Sequence, residues 1–217
     1  MNKKEIIYSD LKKRIIELKI KSHDILKEED IANRYKVSRT PAREALQLLE
    51  KEGYLRKVRK VGYMIQPLTK NDLNEIIGLR STLESYAAAL ATENINADVI
   101  KKLKRVNNKA YNAILKKDFE KFFKINSEFH KIIYKASGNK RLLNLIENLT
   151  ENFSRYRLML LKLNQMPEMS YNDHLQMIKA MEEKDIEKVK LLVKNHIEKG
   201  GRELSKYLES GDLAILV

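Results

Sequence analysis

A thirteen-residue stretch from Val37 to Leu49, V-S-R-T-P-A-R-E-A-L-Q-L-L, constrains the fold of this chain more than any other. Ser38 is a residue type that caps helices through its hydroxyl, and Pro41 is tolerated in a first helical turn because its missing donor would have no partner there. Four apolar residues recur at helical spacing and predict one buried face: Ala42, Ala45, Leu46 and Leu49. Three residues spaced by four predict a polar stripe on another face: Arg39, Arg43 and Gln47.

The residues just before this stretch predict a shorter helix, I-A-N-R-Y from Ile31 to Tyr35, followed by a tight connection. Two helices joined by a short turn, the second opening with Arg39 and Thr40, are typical of a helix-turn-helix that offers its second helix to a DNA major groove. Taken alone, the arginine stripe is more typical of a solvated surface helix, because most charged helical faces are solvated.

The residues after the stretch favour the DNA-binding interpretation. Gly53-Tyr54-Leu55 ends the helix and starts a strand, and Gly62-Tyr63-Met64-Ile65 predicts a returning strand. Between them, the segment from Arg56 to Lys60 carries four basic residues in five. The pattern predicts a small β hairpin, or wing, with a cationic tip beside the recognition helix. Three of its basic residues are predicted to contact the phosphate backbone: Lys57, Arg59 and Lys60.

From Leu26 to Ile65 the sequence resembles the winged helix-turn-helix of GntR-type bacterial repressors, above all through S-R-T-P-A-R-E-A-L and the G-Y-L and G-Y-M-I that follow. The resemblance implies DNA contacts in the recognition helix at Ser38, Arg39, Thr40 and Arg43, and at the wing tip from Lys60 to Gly62. Two features depart from the family pattern. The wing tip is cationic where many relatives are richer in glycine, and Glu29 stands where relatives often carry a phosphate-binding Arg.

The net charge of +13 is spread unevenly along the chain. Residues 1–68 hold 17 Lys and Arg against 10 Asp and Glu, a net +7, whereas the remaining 149 residues carry only +6. This concentration is expected for a surface that meets phosphates. The chain has no cysteine, which excludes disulfides and thiolate metal sites. No signal-peptide pattern and no apolar run of roughly 20 residues is present, which predicts a soluble, cytoplasmic protein.

The pattern predicts two domains in a mainly α chain. Residues 1–68 form a winged helix-turn-helix with a small β wing, opened by an amphipathic helix with Ile7, Leu11, Ile15 and Leu18 on one face. Residues 69–217 form an effector-binding and dimerisation domain, an antiparallel all-helical bundle. Turn signals separate about six helices in that bundle: 70–92, 96–116, 118–137, 140–164, 169–183 and 185–209.

Three histidines fall on the apolar faces of three different bundle helices: His130, His174 and His196. Asn126 precedes His130 by one helical turn, so both point the same way from one helix. A single such histidine is more typical of a hydrogen-bonded core residue. Three on inward faces favour a shared site, because neutral imidazole is a common ligand for Zn²⁺ and Ni²⁺ and separate helices can converge. Spacing alone leaves both interpretations open.

The segment Leu79-Arg80-x-x-Leu83-Glu84, followed by Ala87-Ala88-Ala89, resembles the ligand-binding domain of the FadR branch of the same family. Many members of that branch bind a divalent metal through Asp or Asn, a His four residues later, and two further histidines. The resemblance implies one divalent metal, Zn, Ni or similar, held by four residues: Asn126, His130, His174 and His196. It also implies that a water or a carboxylate effector completes the coordination. Arg80 matches a family arginine, which pairs with either that effector or a neighbouring Glu such as Glu84.

The leading functional hypothesis is a ligand-responsive transcription factor, most often a repressor in this family, and not an enzyme. A homodimer would bind a pseudo-palindromic double-stranded DNA operator, and a small carboxylate effector would shift the population of the operator-competent state. The alternative is a metal-dependent hydrolase with a nucleic-acid-binding domain, which lacks an H-E-x-x-H arrangement and leaves the wing unexplained. Non-specific packaging of nucleic acid needs only positive charge, whereas here the charge is concentrated on a base-reading motif.

Overall fold

The computed structural model describes residues 2–17, 19–20, 24–67, 69–156 and 166–209, apart from the side chain of Arg155. Two compact units are present, the first containing Met1–Thr69 and the second comprising Lys70–Tyr207. Helices dominate the described residues, and three short strands form one antiparallel sheet in the first unit. The fold is therefore mainly α with a small β wing, as predicted. Among the described residues, no helix is both long enough and apolar enough to cross a bilayer.

The first unit is a winged helix-turn-helix. Its elements are, in chain order, α1 (Lys3–Ile16), β1 (Ile25–Leu26), α2 (Glu28–Arg34), α3 (Arg39–Lys51), β2 (Leu55–Val58) and β3 (Gly62–Ile65). The strands lie in the order β1–β3–β2, all antiparallel. The predicted apolar face of α3 is fully buried: Ala42, Ala45, Leu46 and Leu49. It packs with Ile7, Leu11 and Ile15 of α1, whereas Leu18, predicted on the same face, lies outside the described residues.

The start of α3 differs from the prediction in one respect. Ser38 occupies the N-cap position with extended backbone, at φ −71° and ψ 165°, but its side chain makes no capping hydrogen bond. A capping side chain accepts from the N–H of the second or third helical residue, and the third residue here is Pro41, which has no N–H. The proline that indicates the helix start therefore removes one of the donors that the serine would have capped.

Glycine is required at one point of the wing. Gly62 has a φ of +140°, and a Cβ at this position would lie 2.8 Å from the backbone oxygen of Leu26. That distance is shorter than real Cβ contacts, so a side chain here would push β1 away from β3. The hairpin can therefore pair with β1 only because residue 62 has no side chain.

The second unit is helical throughout its described residues. Its elements are α4 (Lys70–Glu93), α5 (Ala97–Leu115), α6 (Phe119–Ala136), α7 (Lys140–Phe153), a 3₁₀ turn (Ser154–Tyr156), α8 (Met166–Glu182) and α9 (Ile186–Glu209). The helix predicted over 140–164 ends at Phe153, and its part from 157 onward lies outside the described residues. The helix predicted at approximately 169–183 is α8, whose described residues run from Met166 to Glu182.

Two connections in the second unit share one design, a lysine with positive φ followed by an aspartate cap. Lys117 and Lys184 have φ values of 54° and 55°, and each ends a helix. The aspartate that follows accepts from the backbone of the next helix, Asp118 from the N–H of Lys121 and Asp185 from that of Lys188. These turns set α5 against α6 and lead directly from α8 into α9. In addition, α5 packs on α8, and α4 packs on both α6 and α7. The inward faces of α6 and α8 meet inside the bundle, where His130 contacts His174.

Candidate functional sites

The outer face of α3 carries the side chains that are predicted to contact DNA. Four of them are exposed, from the N-cap through the second turn: Ser38, Arg39, Thr40 and Arg43. Gln47, one turn further on, is exposed as well. The buried alanines and leucines occupy the opposite side of the helix, so this face is free of the core and available to a partner.

The wing presents the second set of predicted contacts. Its turn is closed by a hydrogen bond from the N–H of Val61 to the oxygen of Val58, at 3.0 Å. Lys60 takes the left-handed conformation at the tip, with a φ of 63°. Lys57, Arg59 and Lys60 are exposed, whereas Gly62 is half-buried against β1. The hairpin therefore displays a cationic surface on a backbone fixed by its pairing.

Two carboxylates at the start of α2 hold the arginines of α3, an arrangement that the sequence pattern did not predict. Arg43 donates through Nε to Oε2 of Glu28 at 2.8 Å, and Arg39 donates through Nη2 to Oε1 of Glu29 at 2.7 Å. The hydrogen bond to Glu28 raises the pKa of Arg43 above its ordinary value. The two pairs differ in exposure, because the side chain of Glu28 is 25% exposed and that of Glu29 is 63% exposed.

The three predicted histidines converge inside the second unit. His130, His174 and His196 come from α6, α8 and α9, and the centroids of their rings lie 5.0, 5.1 and 5.1 Å apart. One nitrogen of each ring lies within 4.8 Å of the others. The Nε2 atoms of His130 and His174 are 3.3 Å apart. Phe129 stacks on the ring of His174 with centroids 3.8 Å apart and fixes the plane of that imidazole.

Two carboxylates lie behind the histidines. Oδ2 of Asp173 is 3.1 Å from Nδ1 of His196, and Oε2 of Glu84 is 3.7 Å from Nδ1 of His130. A proton on each of these Nδ1 atoms would leave the lone pair of the ring on Nε2, on the other side of the imidazole. The sequence pattern named neither carboxylate as a partner of a histidine. The one sequence feature that could have drawn attention to Asp173 is its position next to His174, a predicted site residue.

Burial favours the neutral form of two of the histidines, His130 and His174. Desolvation lowers the pKa of His174 well below its usual value, and the neighbouring histidines lower it further. Desolvation also lowers the pKa of His130 well below its usual value, with contributions from His196 and Arg80. Neutral imidazole is the form that binds a metal, because protonation would occupy the lone pair.

Asn126 and Arg80, the other two predicted site residues, are engaged with neighbours. Oδ1 of Asn126 accepts a hydrogen bond from the hydroxyl of Ser170 at 2.8 Å. Nε of Arg80 donates to Oε1 of Glu84 at 2.7 Å, and both side chains are buried. The hydroxyl of Tyr134 donates to the other oxygen of Glu84. Burial alone would lower the pKa of Arg80, but the attraction of Glu84 outweighs it and the pKa is raised.

A cavity of about 510 Å³ opens beside these residues. Arg80, Asn126 and His130 line one side, and polar residues of α7 such as Thr150 line another. A second, smaller cavity of about 70 Å³ is lined by the same three residues together with His196 and Ser170. The structure thus brings two of the three histidines, the arginine and the asparagine to the walls of adjoining cavities. The larger cavity has a volume that suits a small organic molecule.

Comparison with known proteins accounts for both units. Residues 3–65 match the family model "Bacterial regulatory proteins, gntR family", and residues 75–199, more than half of the chain, match the model "FCD domain". This chain belongs to the GntR family. Its FCD domain corresponds to the FadR-type subfamily.

Relatives of this GntR-family protein are named as regulators. The HTH-type transcriptional regulator YdhC of Bacillus subtilis is 28% identical over 208 residues, which cover 94% of this chain and 92% of the relative. The HTH-type transcriptional repressor RspR of Escherichia coli is 24% identical over 192 residues, covering 88% of this chain and 84% of that protein. Among solved structures, Escherichia coli McbR/YncC superposes with a TM-score of 0.73 over 95% of this chain and 99% of its own, at 24% identity, and shares the fold.

The family membership settles the coarse function. GntR-family regulators bind DNA operators, FCD domains bind small-molecule effectors, and this chain is a DNA-binding transcriptional regulator. The family and the relatives are regulators and not enzymes, so the alternative of a metal-dependent hydrolase is wrong. The winged motif, which that alternative left unexplained, is the DNA-binding element of the family.

Proposed function

We propose that this GntR-family regulator is a repressor whose operator binding is modulated by a small carboxylate effector at a divalent metal in the helical unit. Residues 1–68 would bind the operator, and residues 69–217 would bind the effector and pair two subunits. Two recognition helices, one from each subunit, would read a pseudo-palindromic site. The observation that carries the proposal is the convergence of three imidazoles, two buried and that of His196 half-buried, beside a cavity that His130 and Arg80 both line.

The donor set fits a divalent cation. Two imidazole Nε2 atoms that are only 3.3 Å apart, in a buried setting, satisfy each other only if one ring donates and the other accepts. A cation between the rings would instead use the lone pair of each neutral imidazole, and ligands on one ion of Zn–N length about 2.0–2.1 Å stand roughly this far apart. His130, His174 and His196 would hold the ion, and Asn126 would add a neutral oxygen if it released Ser170.

The metal would supply a positive charge and open coordination positions for the carboxylate of an effector. Arg80 lies at the wall of the same cavity and is kept charged by Glu84, so it adds a second positive group for the same carboxylate. Its guanidinium also lies 4.3 Å from the ring centroid of Phe153, which fixes its plane. The effector would therefore meet two cationic groups on one side and the polar side chains of α7 on the other.

Elemental analysis of the full chain, purified without chelator or affinity-tag metal, tests the metal. We expect one equivalent of a divalent ion per chain. Adding Zn²⁺ or Ni²⁺ to stripped protein should raise the melting temperature, because a ligand at roughly 100 times its Kd adds about 2.7 kcal/mol of stability. For a protein of this size that is a shift of about 5–10 °C. No stoichiometric metal and an unmoved melting temperature would make the histidines ordinary core residues.

A matched pair of variants on α6 separates metal loss from general destabilisation. His130→Ala should release the metal and lower the melting temperature, while DNA binding by the intact recognition helix is retained in the absence of effector. Ile133→Ala, one turn later on the same helix and also buried, should lower the melting temperature and retain the metal. If both variants kept the metal, His130 would not be a ligand.

The effector response is tested on DNA selected from a random duplex pool. Small carboxylates are added to the protein–DNA complex, and we expect those that bind at the metal to weaken operator affinity by a coupling free energy of about 1–3 kcal/mol. The same carboxylates should have no effect on the His130→Ala variant. A response that persists in that variant would show that the effector binds elsewhere.

A further inference from the structure

The two glutamates at the start of α2 hold the arginines of α3 through different atoms. Arg43 donates through Nε to Glu28, so both of its terminal NH₂ groups remain outside this pair. Arg39 donates through a terminal nitrogen, Nη2, to Glu29. The two contacts therefore use different parts of the guanidinium, and they have opposite consequences for DNA recognition.

Arg43 is held in a way that suits the reading of guanine. An arginine reads guanine by donating two parallel hydrogen bonds to O6 and N7 in the major groove. A bond from Nε to a carboxylate fixes the plane of the guanidinium while leaving its terminal groups for the base. Glu28 is well anchored for this task, because its side chain is three-quarters buried. Less rotamer freedom of Arg43 is then lost on binding.

Arg39 is held in a way that competes with DNA. Its terminal Nη2, one of the nitrogens that would meet a phosphate or a base, is engaged by Glu29. Both side chains are 63% exposed, so the pair is weak and can be exchanged for a DNA contact. The exchange leaves the carboxylate of Glu29 near phosphates without its partner, which opposes binding to DNA of any sequence.

We propose that Glu28 is a positioning residue that sets the base preference of Arg43, and that Glu29 lowers the affinity of Arg39 for all DNA. This inference rests on the proposed function, in which α3 is the recognition helix. It predicts effects of opposite sign from two adjacent glutamates. Removal of Glu28 should reduce discrimination between sequences, and removal of the charge of Glu29 should strengthen binding to every sequence.

The helix dipole offers a different reason for acidic residues at this point. Glu28, Glu29 and Asp30 all lie in the first turn of α2, where negative charge stabilises a helix. Asp30 provides the matched control, because it carries the same charge in the same turn. Among the described residues, the two arginines pair with Glu28 and Glu29 and not with Asp30. Asp30→Asn reports the effect of one lost charge at this helix end.

The first experiment measures base preference with the full chain on a duplex selected from a random pool. Single-base variants of that duplex locate the position read by Arg43. Glu28→Ala should reduce discrimination there by about 5-fold or more, the lower end of what a bidentate arginine–guanine pair contributes. Glu28→Gln retains an oxygen that accepts from Nε and should restore much of the preference. Unchanged discrimination in Glu28→Ala would overturn the role of Glu28.

The second experiment measures affinity for unrelated duplex DNA against salt concentration. Glu29→Gln should bind roughly 2- to 5-fold more tightly than wild type, as expected when an exposed ion pair no longer has to be broken. The slope of log affinity against log salt should steepen by about 0.9, the value for one added phosphate contact. Equal affinities of Glu29→Gln and Asp30→Asn would mean that only the charge matters and that Arg39 is not released.

A double variant separates failure of this inference from failure of the proposed function. In an Arg43→Ala background, Glu28→Ala should have no further effect on base preference, because the side chain that it positions is gone. Additive losses would show that Glu28 acts independently of Arg43 and would overturn the inference alone. If Arg43→Ala by itself left affinity and preference unchanged, α3 would not be the recognition helix, and the inference would fall together with that assignment.

Discussion

Arg43 is the side chain whose removal most directly tests the assignment of the recognition helix. It is exposed on the outer face of α3 and held by Glu28. Arg43→Ala should cost about 1–3 kcal/mol of specific DNA binding and relax the sequence preference at one position. The measurement is a titration of the selected operator at fixed salt, with Lys51→Gln in the last turn of the same helix as a control for the lost positive charge. Wild-type affinity in Arg43→Ala would contradict the assignment.

We expect Asp173 to raise the affinity for the proposed metal without contacting the metal itself. Its carboxylate lies 3.1 Å from Nδ1 of His196 and orients that imidazole. Asp173→Asn should weaken metal affinity by about 10- to 100-fold, the usual effect of removing a carboxylate behind a ligating histidine. Metal competition against a chelator measures this directly. Glu183→Gln, just after the end of the same helix, should leave the affinity unchanged. A loss confined to melting temperature would argue against an orienting role.

The sequence pattern predicted the three histidines of the site but not the side chains that contact them. Helical periodicity assigns a residue to a face, and His130, His174 and His196 lie on apolar faces, so their burial together was predictable. Periodicity does not say which residue of another helix meets that face. The contacts of Asp173 with His196 and of Ser170 with Asn126 are therefore known only from the packing of α8 in the structure. Ser38 shows that a local prediction can also fail for a local reason. Its residue type predicts a capping hydrogen bond, but Pro41 removes one of the N–H donors that the cap would use.

At the scale of the element, the wing is expected to contribute affinity and not specificity. Lys57, Arg59 and Lys60 are exposed on the hairpin. Neutralising one of them, for example Arg59→Gln, should weaken binding to every duplex and reduce the salt slope by about one unit. Affinity measured over a series of salt concentrations, for selected and unrelated DNA, checks this. A loss limited to one base position would instead mean that the wing reads sequence.

The helices themselves were largely predictable because their ends are set locally. The breaks near 94–96, 117–118, 137–139 and 184–185 contain asparagine, aspartate or glycine, and the structure places helix ends at each. Asn96 and Asn139 cap the following helices, as Asp118 does for α6. The end of α7 has no such signal, and the prediction ran past it. Where no local residue ends a helix, tertiary packing determines its end, and the pattern of apolar residues does not predict that position.

At the scale of the whole molecule, the prediction is a homodimer. One recognition helix and one wing make too small a contact for tight, specific DNA binding, so two subunits are expected on one operator. Sedimentation of the full chain at micromolar concentration should show a dimer, and the selected DNA should contain two half-sites related by a two-fold axis. A monomer that binds such DNA tightly, or a selected site without symmetry, would contradict the prediction.

The order in which the proposed metal ligands occur along the chain has a consequence for synthesis. A ribosome makes residues 1–69 first, whereas the cluster is incomplete until His196 has been added. The 70 residues after Asn126, up to and including His196, take roughly 4–14 s to translate at about 5–20 residues per second. We therefore expect nascent chains to fold their DNA-binding unit before they can capture a metal, and chains arrested between α8 and α9 to remain metal-free.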